Sequence, residues 1–187
     1  MRDILEDAAD QYAEALPILL VSTAGGIVAG TVLSGDGMQQ AFATIPGLLL
    51  MLPAMLATRG NIYGSLGARI GTALHQGLIE PRFTVQRRLL VAIAAAFING
   101  LSVAVFVAGS SKILLLLMGW PSAPFVTLLF VTVLAAMMSA VVMSGLLVVL
   151  LFTGYRHELN PDVLTGPIVT TAGDIFGVLF IYIAVIL

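Results

Sequence analysis

The chain has 187 residues, of which 59% are apolar and 10% are charged, and its mean hydropathy is +1.08. Soluble domains carry about 25% charged residues, so this composition excludes an ordinary soluble domain and predicts an all-α integral membrane protein. The net charge of −2 gives no reason to expect a nucleic-acid partner, and the lack of cysteine excludes disulfides and thiolate metal sites.

Residues 1–14 are predicted to form a short acidic amphipathic helix. Apolar side chains such as Ile4, Leu5 and Tyr12 share one face, while acidic side chains such as Asp7 and Asp10 lie on the other. Because this opening does not read as a signal peptide, we expect the membrane-spanning helices themselves to direct insertion.

Residues 15–187 are predicted to form one transmembrane domain of five helices. Thr165 and Pro167 have the residue types expected at the N-cap and first turn of the last helix. The five spans are predicted, in chain order, at 15–34, 42–78, 88–108, 125–152 and 163–187, with 109–124 as a loop at the membrane interface.

The orientation of the spans is predicted from the basic residues in the loops. Lys112 lies on one side, and five arginines lie on the other: Arg2, Arg82, Arg87, Arg88 and Arg156. Cytosolic loops carry an excess of Lys and Arg, so the N-terminus is predicted to be cytosolic and the C-terminus outside. We expect a multi-pass protein of the plasma membrane, with lipid around it.

The second span carries two parallel stripes at helical spacing. One consists of small residues, namely Gly60, Gly64, Gly67 and Gly71, and the other of polar or small residues, namely Asn61, Ser65, Ala68, Thr72 and His75. These stripes favour either the wall of an aqueous path, with Gly60 and Ser65 lining it, or a tight seam between helices.

Asp174 is the only Asp, Glu, Lys, Arg or His residue between Val163 and Leu187, and it lies near the middle of the predicted fifth span. A carboxylate at that depth costs at least ~2.5 kcal/mol, so its surroundings must compensate for it. Four arrangements satisfy that requirement: protonation of the acid, an arginine partner such as Arg59 or Arg69, a water-filled cavity, or a bound cation.

The midpoints of the predicted spans bring three polar residues to one level: Asn61, Asn99 and Asp174. Thr170 and Thr171 lie one turn before Asp174 in the last span, and Gly173 and Gly177 leave the space on either side of the acid open. These four residues and Asn99 are predicted to line an ion pore. Carboxylate, amide and hydroxyl oxygens suit a hydrated Mg²⁺ ion. One carboxylate cannot neutralise a divalent ion, so we expect a two-fold homodimer.

Enzyme activity is not expected. An intramembrane aspartyl protease needs two acids at depth, and Asp174 is the only one. The two histidines, His75 and His157, form no His-Glu-x-x-His pattern, so nothing supports a zinc hydrolase.

Two stretches of this sequence resemble the membrane domain of the MgtE family of magnesium channels and transporters, including its eukaryotic solute-carrier relatives. The first runs from Pro53 to Thr72 and contains Gly60-Asn61 and Arg69. The second runs from Asn160 to Gly177 and contains Gly166-Pro167 followed by Thr-Thr-x-x-Asp-x-x-Gly, in which the acid is Asp174.

The resemblance implies a divalent-cation path at the interface of two five-helix units, with Asp174 at the main ion site and Asn61 close by. Mg²⁺ is the expected ion, and Mn²⁺ and Co²⁺ are the other candidates. No large sensor domain precedes the first span, so we expect a single-unit form without cytosolic regulatory domains. The eukaryotic relatives carry two such units, which makes a heteromer with a related unit the alternative to a homodimer.

Two other functions remain open from the sequence. In a proton- or sodium-coupled carrier of a small solute, Asp174 is the coupling acid. In a membrane assembly subunit that transports nothing, Asp174 pairs with an arginine.

Overall fold

A computed structural model describes residues 2–157 and 161–187, without the side chains of 2–11, 14, 15, 18 and 161–165. The acidic face predicted within residues 1–14 therefore falls mainly on side chains outside the described set. All regular secondary structure in the described part is helical, as predicted. The six helices are α1 (Arg2–Ser34), α2 (Asp36–Thr44), α3 (Leu48–His75), α4 (Arg87–Leu117), α5 (Phe125–Arg156) and α6 (Pro161–Ile186).

The first membrane helix is followed at once by a second, short helix that the sequence reading did not predict. The axes of Leu19–Ser34 and Asp36–Thr44 meet at 60°, with Gly35 at the bend. A further break precedes α3, where Gly47 adopts a φ of 103°, which favours a residue without a Cβ. The predicted start of the second span at Phe42 is therefore wrong, and α3 begins at Leu48.

The predicted loop at residues 109–124 is also wrong in its first half, because α4 continues to Leu117. Ser110 remains helical and donates a hydrogen bond to the carbonyl of Phe106 at 2.7 Å, the usual way in which a hydroxyl is satisfied inside a helix. The helix ends next to Gly119, whose φ of 66° supplies the left-handed residue common after a helix C-terminus.

The last helix begins earlier than the sequence predicts. α6 starts at Pro161, so Pro167 lies inside the helix and Thr165 is not its N-cap. Proline is favoured at a first helical position, and Pro161 meets that preference six residues ahead of Pro167.

Among the described residues, three helices are long and apolar enough to cross a membrane, namely α4, α5 and the part of α6 from Gly166 to Ile186. The bent pair of α1 and α2 makes a fourth candidate when it is taken as one span. With 28 residues, α3 is about 42 Å long, but Arg59, Arg69 and its polar residues make it less apolar than the other three. Five spans therefore remain a prediction.

The core consists of two apolar clusters placed one after the other along the helices. On α3 the Met51 cluster contains Met51 and Met55, and the Tyr63 cluster contains Tyr63 and Leu66. The order is reversed on α6, where Val169 belongs to the Tyr63 cluster and Val178 to the Met51 cluster. Helices α3 and α6 therefore run antiparallel, and the core is interrupted halfway along them.

Candidate ion site

A layer of polar and small residues lies where one apolar cluster gives way to the other. Arg59 on α3 falls between Met55 of the Met51 cluster and Tyr63 of the Tyr63 cluster. The corresponding positions on the other three helices are Gly100 on α4, Ser139 on α5, and Gly173 with Asp174 on α6. That Asn61, Asn99 and Asp174 share one level remains a prediction.

The exposed face of α3 is polar, unlike the exposed faces of its neighbours. From residue 50 to residue 75, α3 exposes no large apolar side chain. By contrast, α4 exposes Ile98 and Phe106, and α5 exposes Val126 and Val141, as expected of surfaces that contact lipid. All five members of the polar or small stripe predicted from the sequence are exposed on α3, namely Asn61, Ser65, Ala68, Thr72 and His75, and Ala57, one turn earlier, is exposed as well.

Asn61 and Asn99 line the same groove between α3 and α4. The groove has a volume of about 310 Å³ and also takes polar side chains from Ser65, Arg69 and Ser102. Both asparagines are exposed, so their amide oxygens are free to meet water or an ion. Asp174 does not line this groove.

Asp174 lies on α6 one turn before Gly177, the residue at which α6 contacts Leu56 and Arg59 of α3. It is half-buried, whereas its neighbour Gly173 and the glycine one turn later, Gly177, are buried. A Cβ added at Gly177 would overlap the Arg59 guanidinium and lie 2.7 Å from Leu56 Cδ2, so the absence of a side chain there allows α3 to approach closely.

Arg59 is buried beside this acid, with only 5% of its surface exposed. Asp174 is close enough to act on it electrostatically. However, no guanidinium nitrogen of Arg59 lies within 4.0 Å of a described carboxylate oxygen. Within that distance, the described side chains form an ion pair between Arg82 and Glu80. The predicted alternative of a direct Asp174–Arg59 pair is therefore not formed in this structure.

The two threonines before Asp174 point to different surroundings. The Thr170 hydroxyl is exposed and donates to the carbonyl of Gly166 at 2.9 Å. The Thr171 hydroxyl donates to the carbonyl of Pro167 at 2.7 Å, and its methyl group lies against Gly25 of α1. Of the pair, Thr170 is the one left exposed near the acid.

Gly60, which was predicted to line the pore, and Gly64 of the same small-residue stripe border open space on α3. A Cβ added at Gly60 or Gly64 would meet no atom within 4 Å. Nothing within this single chain therefore requires glycine at either position, and the bare backbone remains open to water or to a second molecule.

The sequence alone left the burial of Arg59 open, because it offered Arg59 only as one of two possible arginine partners of Asp174. The signal was present, because Arg59 has helical spacing with Tyr63, Leu66 and Ile70, all of which are buried. Arginine at a position on the apolar face of a helix must have its charge placed inside the protein.

These features define a multi-pass helical membrane protein in which α3 exposes a polar face and carries a buried arginine near an acid of α6. The chain belongs to the MgtE family: a family model described as a divalent cation transporter matches residues 52–184, which include every predicted site residue. The family description is that of a transporter rather than an enzyme.

A curated relative agrees with this assignment. Solute carrier family 41 member 3 of Rattus norvegicus is 26% identical over 167 residues, in an alignment that covers 86% of this chain and 35% of the relative. The chain therefore spans about a third of the length of the relative that it matches.

Proposed function

We propose that this protein carries Mg²⁺ across the membrane along a path at the interface of two copies, with Asp174 as the main ion site and Asn61 beside it. The family match supports divalent-cation transport, and the choice of Mg²⁺ is part of the proposal. The proposal also places the protein in the plasma membrane with a cytosolic N-terminus, because Arg82, Arg87 and Arg88 lie in or next to the loop between α3 and α4, at the end of the bundle opposite Lys112.

The polar exposed face of α3 is the observation that supports this proposal most strongly. A helix in lipid exposes apolar side chains, whereas Asn61, Ser65 and Thr72 are exposed here. Such a face is stable in a membrane when water or another protein surface covers it. An aqueous path between two copies provides both.

The side chains fit the chemistry of a hydrated divalent ion. Mg²⁺ binds carboxylate and carbonyl oxygens and retains several waters, so it needs few direct protein ligands and a wide site. The described residues contain no group of three or more His, Asp or Glu side chains that could hold a metal ion. One copy thus contributes one acid, Asp174, and a second copy related by a two-fold axis supplies the second negative charge.

Growth of a magnesium-uptake-deficient host on low magnesium tests the assignment. The Asp174→Asn variant keeps the shape of the side chain and removes its charge, so we expect it to lose complementation while its membrane expression stays normal. The matched control is Asp36→Asn, the same change at an exposed residue that starts α2. Full growth of the Asp174→Asn strain on low magnesium would reject Asp174 as the ion site.

A further inference from the structure

Arg59 is a buried cation whose two Nη atoms have no hydrogen-bond partner among the described residues. Both Nη1 and Nη2 are inaccessible to solvent, and neither donates a hydrogen bond to any described group. A buried guanidinium normally pairs with an acid or donates to carbonyl oxygens, because removing its charge from water is strongly unfavourable. The position of this side chain therefore needs an explanation other than packing.

Among the described side chains, one acid acts on Arg59. Tyr63 is its titratable neighbour on α3, and Asp174 is its charged neighbour from α6. The α4 and α5 residues that share a cavity of about 20 Å³ with Arg59 are not titratable, and the hydroxyls of Thr132 and Ser139 donate to carbonyls of their own helix.

The reach of the guanidinium toward α6 depends on Gly177. Nη1 occupies the space that a side chain at residue 177 would fill, one turn after Asp174 on the same helix. The guanidinium thus lies next to the helix that carries the proposed ion site, within electrostatic range of the carboxylate but outside ion-pair distance.

We propose that Arg59 is a tethered cation that competes with the transported divalent ion for the Asp174 carboxylate. This inference rests on the proposed function, in which Asp174 binds the ion. When the ion is absent, the guanidinium neutralises the acid, and when the ion is present, the guanidinium repels it. In a two-fold dimer two Arg59 charges balance two Asp174 charges, so a divalent ion binds weakly enough to leave.

The Arg59→Gln variant tests this competition through divalent-ion affinity. Titration of the purified full-length protein with Mg²⁺ and with Mn²⁺ should show at least about tenfold tighter binding, because a nearby positive charge that opposes the ion has been removed. Maximal flux in liposomes should fall, since the ion leaves more slowly. The control is Arg88→Gln, the same change at an exposed residue in the first turn of α4. Unchanged or weaker binding in Arg59→Gln would overturn the proposal.

The Arg59→Lys variant gives a second test that keeps a charge in the folded protein. Arginine stays protonated at all accessible pH values, whereas a buried lysine loses its proton readily. Between pH 7 and pH 10, divalent binding to Arg59→Lys should tighten more than binding to the unaltered protein. Parallel pH profiles would contradict the competition.

The Asp174→Asn variant separates this inference from the proposed function. If divalent binding disappears in Asp174→Asn but is unaltered in Arg59→Gln, Asp174 is the ion site and Arg59 does not compete. If Asp174→Asn binds the ion as the unaltered protein does, the ion site itself is wrongly placed.

Discussion

At the scale of single residues, the space beside each glycine decides which of them hold the helices together. Gly25 on α1 is buried, and a Cβ there would overlap the Thr171 methyl group and lie 3.4 Å from Ile175 Cδ1. Gly26, the next residue, is exposed, and a Cβ there would meet no atom within 4 Å. Close packing against α6 therefore requires glycine at position 25 and not at position 26.

The Gly25→Ala and Gly26→Ala variants should therefore differ in stability. Threonine is β-branched and stiff at χ1, so Thr171 cannot move aside easily, and Gly25→Ala should lose about 1–3 kcal/mol of unfolding free energy. Gly26→Ala should be neutral or gain up to about 1 kcal/mol from helix propensity. Thermal unfolding of both variants in one detergent checks this. Equal melting temperatures would contradict the packing of α1 on α6.

At the scale of helices, α3 is the most unusual element, since its buried face is apolar except for Arg59 and its exposed face is polar. The helical spacing of polar and small residues in the sequence was enough to predict the polar stripe, because that spacing determines which residues share a face. The spacing does not determine which face of α3 the neighbouring helices cover. That depends on the packing of α4, α5 and α6 against Tyr63, Leu66 and Ile70.

Labelling of single cysteines tests whether water reaches this face. The chain has no cysteine, so each introduced thiol is the only one present. A membrane-impermeant thiol reagent should modify Ser65→Cys, on the polar face of α3, and leave Val105→Cys, an exposed apolar position of α4, unmodified. Equal labelling of the two positions would show that the face of α3 is no more accessible to water than a lipid-facing surface.

Helix ends were predicted less well than helix existence, for local physical reasons. Hydropathy detects apolar spans, but the extension of α4 past Gly109 depends on the Ser110 hydroxyl being satisfied within the helix. The short helix α2 is too polar to register as part of a span. Similarly, the composition of α6 did not distinguish Pro161 from Pro167 as its first proline.

At the scale of the whole molecule, a single copy leaves the polar face of α3 without a protein partner. The grooves beside it are open, and Gly60 and Gly64 border unoccupied space. The sequence predicted the residues of this face. The position of Arg59 in the interior, against Gly177 of another helix, required the tertiary structure, because that contact joins residues 118 positions apart.

A second copy across this face should allow cross-linking. In Ala68→Cys the thiol lies on the exposed stripe of α3, and mild oxidation in native membranes should give a covalent dimer. Val141→Cys, on the apolar outer surface of α5, is the control and should remain monomeric. Dimers from Val141→Cys but none from the α3 positions Ala57→Cys, Ser65→Cys or Ala68→Cys would place the interface elsewhere.

Magnesium flux into liposomes that contain only this purified chain tests the central claim most directly. With a Mg²⁺ gradient and no proton or sodium gradient, the unaltered protein should carry Mg²⁺, while Asp174→Asn should reduce the flux to the level of empty liposomes and Asp36→Asn should not. Transport of Mg²⁺ by Asp174→Asn at the unaltered rate would contradict the account. So would a protein that carries Mg²⁺ only when a proton or sodium gradient is imposed.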